Sequence, residues 1–212
     1  NNKFELENYK EVLKRIETRL RKELVGQDEA IDKLIDLMTG YFESMLQAKA
    51  LGKKFEGGLV LYLSGEPGTG KSTTMKIIAE ETGMPANINL ISSVVNSKST
   101  NARNCIERLI KPEILDDGKS KVEINTPLAL QLEKGISALY CFDEIDKMRN
   151  LDSILQNSSP KNKDGKVVGG SIDDMIRNFG DTGRINGKDV SGSILIATSN
   201  ETPEQLSELE SS

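Results

Sequence analysis

Short continuous apolar runs alternate along this chain with longer stretches whose apolar residues recur at helical spacing. Residues 59–63 (Leu-Val-Leu-Tyr-Leu), 138–142 (Ala-Leu-Tyr-Cys-Phe) and 194–197 (Ile-Leu-Ile-Ala) are too short for helices and show no polar alternation. That is the pattern of parallel strands buried on both faces. Residues 87–91 predict one more strand. Between them the period changes. Residues 5–24 place Val12, Leu13, Ile16, Leu20 and Leu24 on one side of a helix. After a break at Val25-Gly26, residues 28–50 carry a stripe of Ile31, Leu34, Ile35, Met38, Phe42, Met45 and Leu46. Residues 52–58 read as a linker. Residues 70–82 predict a helix with Met75, Ile78 and Ala79 inward, ended by Gly83 and Pro85. Ala102, Cys105, Ile106, Leu109 and Ile110 mark a helix over 101–110, and further helices are predicted just before the 138–142 strand, over 147–155, and around Ile172, Met175, Ile176 and Phe179. Residues 92–100 read as a Ser/Asn-rich loop, 114–126 as a polar stretch turning at Asp116-Asp117-Gly118, and 183–192 as a turn back into the last strand. Residues 158–170, with Lys161, Lys163 and Lys166, have little to bury and are predicted to be mobile. Strands alternating with helices predict an α/β fold of three layers, a mostly parallel sheet covered on both faces.

The strand endings carry the candidate chemistry. The 59–63 run leads into Gly65-Glu66-Pro67-Gly68-Thr69-Gly70-Lys71-Ser72-Thr73, which contains the phosphate-binding pattern G-x-x-x-x-G-K-[ST] between a strand and a helix. Glycines at 65, 68 and 70 let the backbone bend so that its N–H groups face a phosphate. The helix start adds partial positive charge. Lys71 reaches the β- and γ-phosphates and Ser72 can hold Mg²⁺. A glycine-rich turn could carry the same letters by accident, but the strand before it and the helix after it argue against that. The 138–142 run ends in Asp143-Glu144, which puts two carboxylates at the carboxyl edge of the sheet, where open α/β folds bind ligands. Asp143 would organise Mg²⁺ through water and Glu144 would polarise an attacking water. A solvated acidic turn is the plainer reading of these two acids taken alone. The 194–197 run ends in Thr198-Ser199-Asn200, whose amide could bond the water or the γ-phosphate, although Asn is also a common turn former.

Composition narrows the classes. The 212 residues suffice for one α/β domain with a full core, and 29% charged residues give a well-charged surface. No apolar run approaches the roughly 18 residues of a membrane span. The net charge of −5 and pI near 5.1 count against a general nucleic-acid surface. Cys105 and Cys141 fall in a helix and a strand and read as reduced thiols of a cytoplasmic-type protein. The absence of histidine excludes Ser-His-Asp and Cys-His catalysis and His-based zinc sites. Phosphoryl chemistry by Lys, Ser, Asp and Mg²⁺ remains. A start at Asn1 and a stop soon after Asn200 lead us to expect a piece of a longer protein.

With these residues placed, the chain resembles the AAA+ ATPases, and within them the Clp-type chaperones and unfoldases, over about residues 10–200. Leu24-Val25-Gly26-Gln27-Asp28-Glu29-Ala30 resembles the segment that lines the family's adenine pocket, residues 65–72 the Walker A loop, and Phe142-Asp143-Glu144-Ile145-Asp146-Lys147 the Clp form of Walker B. Gly183-Arg184, Asp189-Val190 and the strand ending in Thr198-Ser199-Asn200 also resemble it, with Asn200 as sensor 1. The resemblance implies ATP/ADP and Mg²⁺ as ligands, Val25 and Gly26 at the base, and catalytic parts for Lys71, Glu144 and Asn200. It also implies a protein substrate or partner and assembly into a ring, a hexamer by family habit. It divides the chain into a helical extension over 1–57 and a P-loop core over 58–212 that is incomplete at its C-terminal side. The arginine finger, sensor 2 and helical lid would then follow Asn200, since 201–212 hold no Arg or Lys, and ATP turnover by this stretch alone would be slow. Besides those missing parts, the chain departs from the Clp pattern in two further places. No Phe, Tyr or Trp lies between Leu63 and Leu139, where Clp unfoldases carry a pore-loop aromatic, and the stretch from Asp143 to Arg184 is longer than usual. Torsin-like relatives also lack that aromatic, so a switch activated by a partner is the second reading. A nucleic-acid motor on the same fold is the third.

Overall fold

A computed structural model describes residues 5–66, 68–87, 113–116, 118–124, 127–157, 163–164 and 171–200. A short 3-10 turn at Leu6–Asn8 leads into α1 (Tyr9–Glu23) and, after a turn, α2 (Asp28–Ala50). Then follow β1 (Leu59–Ser64), α3 (Lys71–Thr82) and β2 (Ala86–Asn87). Next come β3 (Glu113–Asp116), β4 (Lys121–Ile124), α4 (Pro127–Lys134), β5 (Leu139–Phe142) and α5 (Ile145–Asn157). The described chain closes with α6 (Ile172–Thr182), β6 (Arg184–Ile185), β7 (Lys188–Asp189) and β8 (Ile194–Ser199).

The main sheet has four parallel strands in the order β1-β8-β5-β2. The last strand in sequence is thus inserted between the strand before the glycine loop and the strand before the acids. Its register with both neighbours is fixed: Leu59 and Leu139 each lie beside Ile194, and Leu61 and Cys141 each lie beside Ile196. Side chains alternate across the pleat, so the sheet feeds two cores. Leu61, Leu139, Cys141, Ile194 and Ile196 pack with α1, α2 and α3. Tyr140, Phe142, Leu195 and Ala197 pack with α4, α5 and α6. All six residues of β8 are buried, as the continuous apolar run predicts for a central parallel strand.

The predicted helices over 28–50 and 70–82 are found with nearly the predicted bounds. Two local elements depart from the sequence reading. Residues 114–126 are not merely a polar turn but contain the antiparallel hairpin β3–β4, closed by the Gly118 N–H donating to Asp116 Oδ1 at 2.9 Å. Within 183–192 lies a second, two-residue hairpin, β6–β7. The second predicted strand is seen at Ala86–Asn87. The remainder of 87–91, the predicted 101–110 helix with Cys105, and all but two residues of the 158–170 segment lie outside the described residues. The helix α6 begins with a capping box, the Ser171 hydroxyl accepting from the Asp174 N–H and the Asp174 carboxylate accepting from the Ser171 N–H. No helix among the described residues is long and apolar enough to cross a membrane.

Candidate functional site

Because β8 lies between β1 and β5, the three strand endings singled out in the sequence meet at one edge of the sheet. Ser64 lies beside Ser199, and Phe142 beside Ala197. The next residues on each strand, Gly65, Asp143 and Thr198 to Asn200, therefore share the carboxyl edge.

On the β1 side, Gly65 has φ +144 and Gly68 φ +86, and Gly70 turns into α3 at φ +92, all left-handed or beyond and open only to glycine without strain. Thr69 tightens the loop by donating its hydroxyl to the Glu66 carbonyl at 2.9 Å. Pro67 lies outside the described residues. Ser72 is exposed and Thr73 half-buried in the first turn of α3. The Lys71 ammonium donates to the Gly65 carbonyl at 2.6 Å, the Ser199 carbonyl at 3.0 Å and the Asn200 side-chain oxygen at 2.6 Å. All three donors of the lysine are thus accounted for, and they join the loop to the end of β8. The sequence placed Lys71 and Asn200 in one site; the structure puts them in contact.

On the β5 side, past the paired strands, a hydroxyl links the acids to β8. Thr198 Oγ1 donates to the Asp143 carboxylate and accepts from the Glu144 N–H at 3.1 Å. Thr198 is 1% exposed, so no water competes for it. Glu144 has φ +55, an uncommon conformation for a residue with a side chain. It turns the chain sharply from β5 into α5. Its carboxylate pairs with Lys147 at 2.8 Å, one helical turn on, and that hydrogen bond holds the Lys147 ammonium above its usual pKa. Cys141, on the strand just before the acids, is buried and its thiol is pushed up to about 12, first by burial and then by the Asp143 charge. It is an inert core thiol.

The N-terminal helices close the third side. A cavity of about 230 Å³ lies between α1, α2, the end of β1 and the glycine loop, walled by apolar side chains such as Leu20, Ile31 and Leu34 and touching Thr69, Gly70 and Lys71. Of the turn between α1 and α2, Leu24 and Gln27 line it. Val25 is 86% exposed and Gly26 has φ +82 at the apex of the turn. The cavity wall thus comes from the neighbours of the two residues that sequence resemblance had picked out. Gln27 Nε2 donates to the Thr69 carbonyl at 2.8 Å. Leu24 closes over Gly70 so tightly that a Cβ there would lie 2.1 Å from Leu24 Cδ2. Sequence reading missed Thr198 and Gln27 as individual actors. The signal for both was position, beside a strand ending and beside a turn, with nothing in residue type to separate them from neighbours.

Mg²⁺ suits this donor set. Among the described residues no three acidic, Cys or His side chains form a metal cage. Mg²⁺ held largely by phosphate and water needs only one or two protein oxygens, and the Ser72 hydroxyl and Asp143 carboxylate are of the kind that could supply them.

A glycine loop running from a parallel strand into a helix, with two acids two strands over across β8, defines an α/β P-loop nucleotide-binding domain. The family model for the ATPase family associated with various cellular activities (AAA) matches residues 61–210, and the chain belongs to that family. Among its curated relatives, it is 34% identical over 76 residues to an ATP-dependent zinc metalloprotease FtsH of Corynebacterium glutamicum, 36% of this chain and 9% of that protein. It is 36% identical over 63 residues to the Cell division control protein 48 homolog B of Arabidopsis thaliana, 30% of this chain and 10% of that protein. The matched stretch spans about a tenth of either relative. The narrower resemblance to Clp-type proteins has no counterpart in these matches, which point to the wider AAA family.

Proposed function

We propose that this chain is the ATP-binding and hydrolysing module of a machine that remodels proteins. The observation that carries the reading is the Lys71 ammonium, seated between the glycine loop and the end of β8 within one strand of Asp143 and Glu144. In this reading the loop N–H groups and Lys71 hold the β- and γ-phosphates of ATP, and Ser72 and Asp143 hold Mg²⁺. The metal neutralises charge on the phosphates. Glu144 takes a proton from the attacking water, Thr198 fixes both acids, and Asn200 orients the water or the γ-phosphate. The products are ADP and phosphate. The apolar cavity beside Leu24 and Gln27 takes the base.

Protein remodelling as the purpose is supported by the names of the relatives, one of which is an ATP-dependent zinc metalloprotease. Its zinc chemistry is not carried by this chain, which has no histidine. One observation favours a second reading, a torsin-like switch activated by a partner: no Phe, Tyr or Trp lies between Leu63 and Leu139, so threading by an aromatic loop has no candidate residue there. Assembly into a ring, as a hexamer, belongs to either reading. The deciding experiment measures ATP binding by calorimetry and ATP turnover across a range of protein concentrations, with and without an unfolded protein. Tight Mg²⁺-dependent binding, turnover that rises with concentration, and stimulation by unfolded protein support the machine. Stimulation by a specific folded partner alone supports the switch, and absence of ATP binding overturns both.

A further inference from the structure

The turn between α1 and α2 touches the glycine loop at two adjacent residues. Leu24 rests on Gly70, and Gln27 Nε2 donates to the carbonyl of Thr69. The second contact has a consequence for the peptide that joins Thr69 to Gly70. There are no cis peptide bonds among the described residues, so that peptide is trans and planar, with its C=O and N–H pointing in opposite directions. Holding the Thr69 carbonyl toward the turn forces the Gly70 N–H to point away from it. Gly70 has no side chain to resist rotation, and its φ of +92 leaves the peptide free to swing unless something fixes it. Among the described residues, the loop's own bond nearest this peptide is that of the Thr69 hydroxyl to the Glu66 carbonyl, which constrains the other side of residue 69.

We propose that Gln27 is a positioning residue for phosphate binding: by clamping the Thr69 carbonyl it aims the Gly70 N–H at the bound phosphate and ties the base cavity to the phosphate loop. The inference rests on reading residues 65–72 as the phosphate site. It assigns to the Gln27 side chain a task distinct from lining the cavity. A residue that only walls the cavity changes the binding of the base; a residue that aims a backbone N–H changes the binding of phosphate, whatever base is attached.

The test uses this chain with Gln27→Met, which keeps length and shape and removes the donor, and Gln27→Glu, which keeps shape and leaves only acceptors at neutral pH. Gln27 is only half-buried, and melting temperatures within a few degrees of the parent confirm folding. Displacement of a fluorescent ATP analogue is titrated with ATP, with Mg²⁺-tripolyphosphate and with adenosine. Losing one hydrogen bond that pre-orients a donor should weaken tripolyphosphate and ATP about tenfold in Gln27→Met, with adenosine unchanged. Equal weakening of adenosine and tripolyphosphate, or no change in tripolyphosphate, overturns the proposal. So does a loss confined to Gln27→Glu, which would be charge repulsion alone. Those failures leave the nucleotide site standing, because the parent still binds ATP and Lys71→Ala still loses it. Failure of the parent chain to bind either ATP or tripolyphosphate overturns the site and the positioning role together.

Discussion

The two corners of the candidate site are mounted differently on the same strand. At the glycine-loop corner, β8 offers Lys71 a backbone carbonyl and the Asn200 side chain, and the loop adds the Gly65 carbonyl. Two of these three acceptors are main-chain atoms that no substitution removes. Gln27 and Leu24 brace the same loop from behind. At the acidic corner, Asp143 and the Glu144 N–H both depend on the Thr198 hydroxyl. The first corner is redundant, whereas at the second one side chain, Thr198, joins the Asp143 carboxylate to the Glu144 backbone. Binding a polyanion needs many donors of modest accuracy, whereas polarising a water needs one carboxylate in one place. Substitutions at the first corner should therefore change affinity, and at the second, rate.

The largest effect belongs to Glu144→Gln. It keeps the shape, including a side chain that can still reach Lys147, and removes the proposed base. Turnover should fall by about 10²–10⁴, with ATP affinity kept within a few-fold, read by a coupled ADP assay beside calorimetry. Turnover left intact would reduce Glu144 to the solvated acid of the plainer reading. Next comes Lys71→Ala. The variant loses a full charge and up to three charge-assisted donors facing a polyanion. ATP affinity should drop about a hundredfold, with little change in melting temperature, because the ammonium is partly exposed and its carbonyl partners can turn to water. Thr198→Val is the sharpest probe of the contrast. It is isosteric and buried, and strips both acids of their common partner. Turnover should fall about tenfold, with ATP affinity little changed, and Thr198→Ser should restore most of it. A larger effect of Thr198→Val on affinity than on rate would show that the two corners are not separable.

Much of this arrangement was legible in the sequence, and what was missed has physical causes. The strands β1, β5 and β8 were readable because burial on both faces writes a continuous apolar run, and their polar endings named the site. Lys71, Asp143, Glu144 and Asn200 followed from those endings. The insertion of β8 between β1 and β5 was not readable, since pairing between strands about 130 residues apart leaves no local mark; yet that order is what brings Asn200 to Lys71. The β3–β4 hairpin was passed over because its strands are only four residues each and mix charged with apolar residues, although the Asp116 and Gly118 turn was seen. Tyr41 fell outside the predicted stripe of α2, but its ring is buried and its hydroxyl donates to the Ser193 carbonyl at 2.7 Å, holding the helix to the base of β8. Burial raises its pKa well above the ordinary phenol range. A helical stripe marks apolar faces and passes over aromatic residues whose polar tip finds a partner inside.

The smallest expected effect tests how the glycine-loop corner is held from behind. Its helix α3 is tied to α1 by Arg15 and Arg19, which both reach Glu81 at 2.9 and 3.1 Å, with Arg19 also reaching Glu80. Partial burial raises the Glu81 pKa, but the hydrogen bonds from Arg15 and Arg19 outweigh it, and the net shift is downward. A carboxylate whose folded pKa is depressed contributes stability above its unfolded value of about 4.5, and that contribution is lost as pH falls through the lower folded value. Both arginines are more than a third exposed, so solvent screens the pairs and the contribution should be about 1 kcal/mol or less. Glu81→Gln should therefore lower the melting temperature by at most about 2–4 °C at pH 7, and the gap should narrow as pH falls below the ordinary value of 4.5 and through the lower folded value. Added salt should also narrow it. ATP affinity should stay within a factor of two, because the glycine loop is braced independently by Leu24, Gln27 and β8. A loss of affinity as large as that of Gln27→Met would mean that the loop takes its shape from the seating of α3 rather than from its own contacts, and the redundancy assigned to that corner would be wrong.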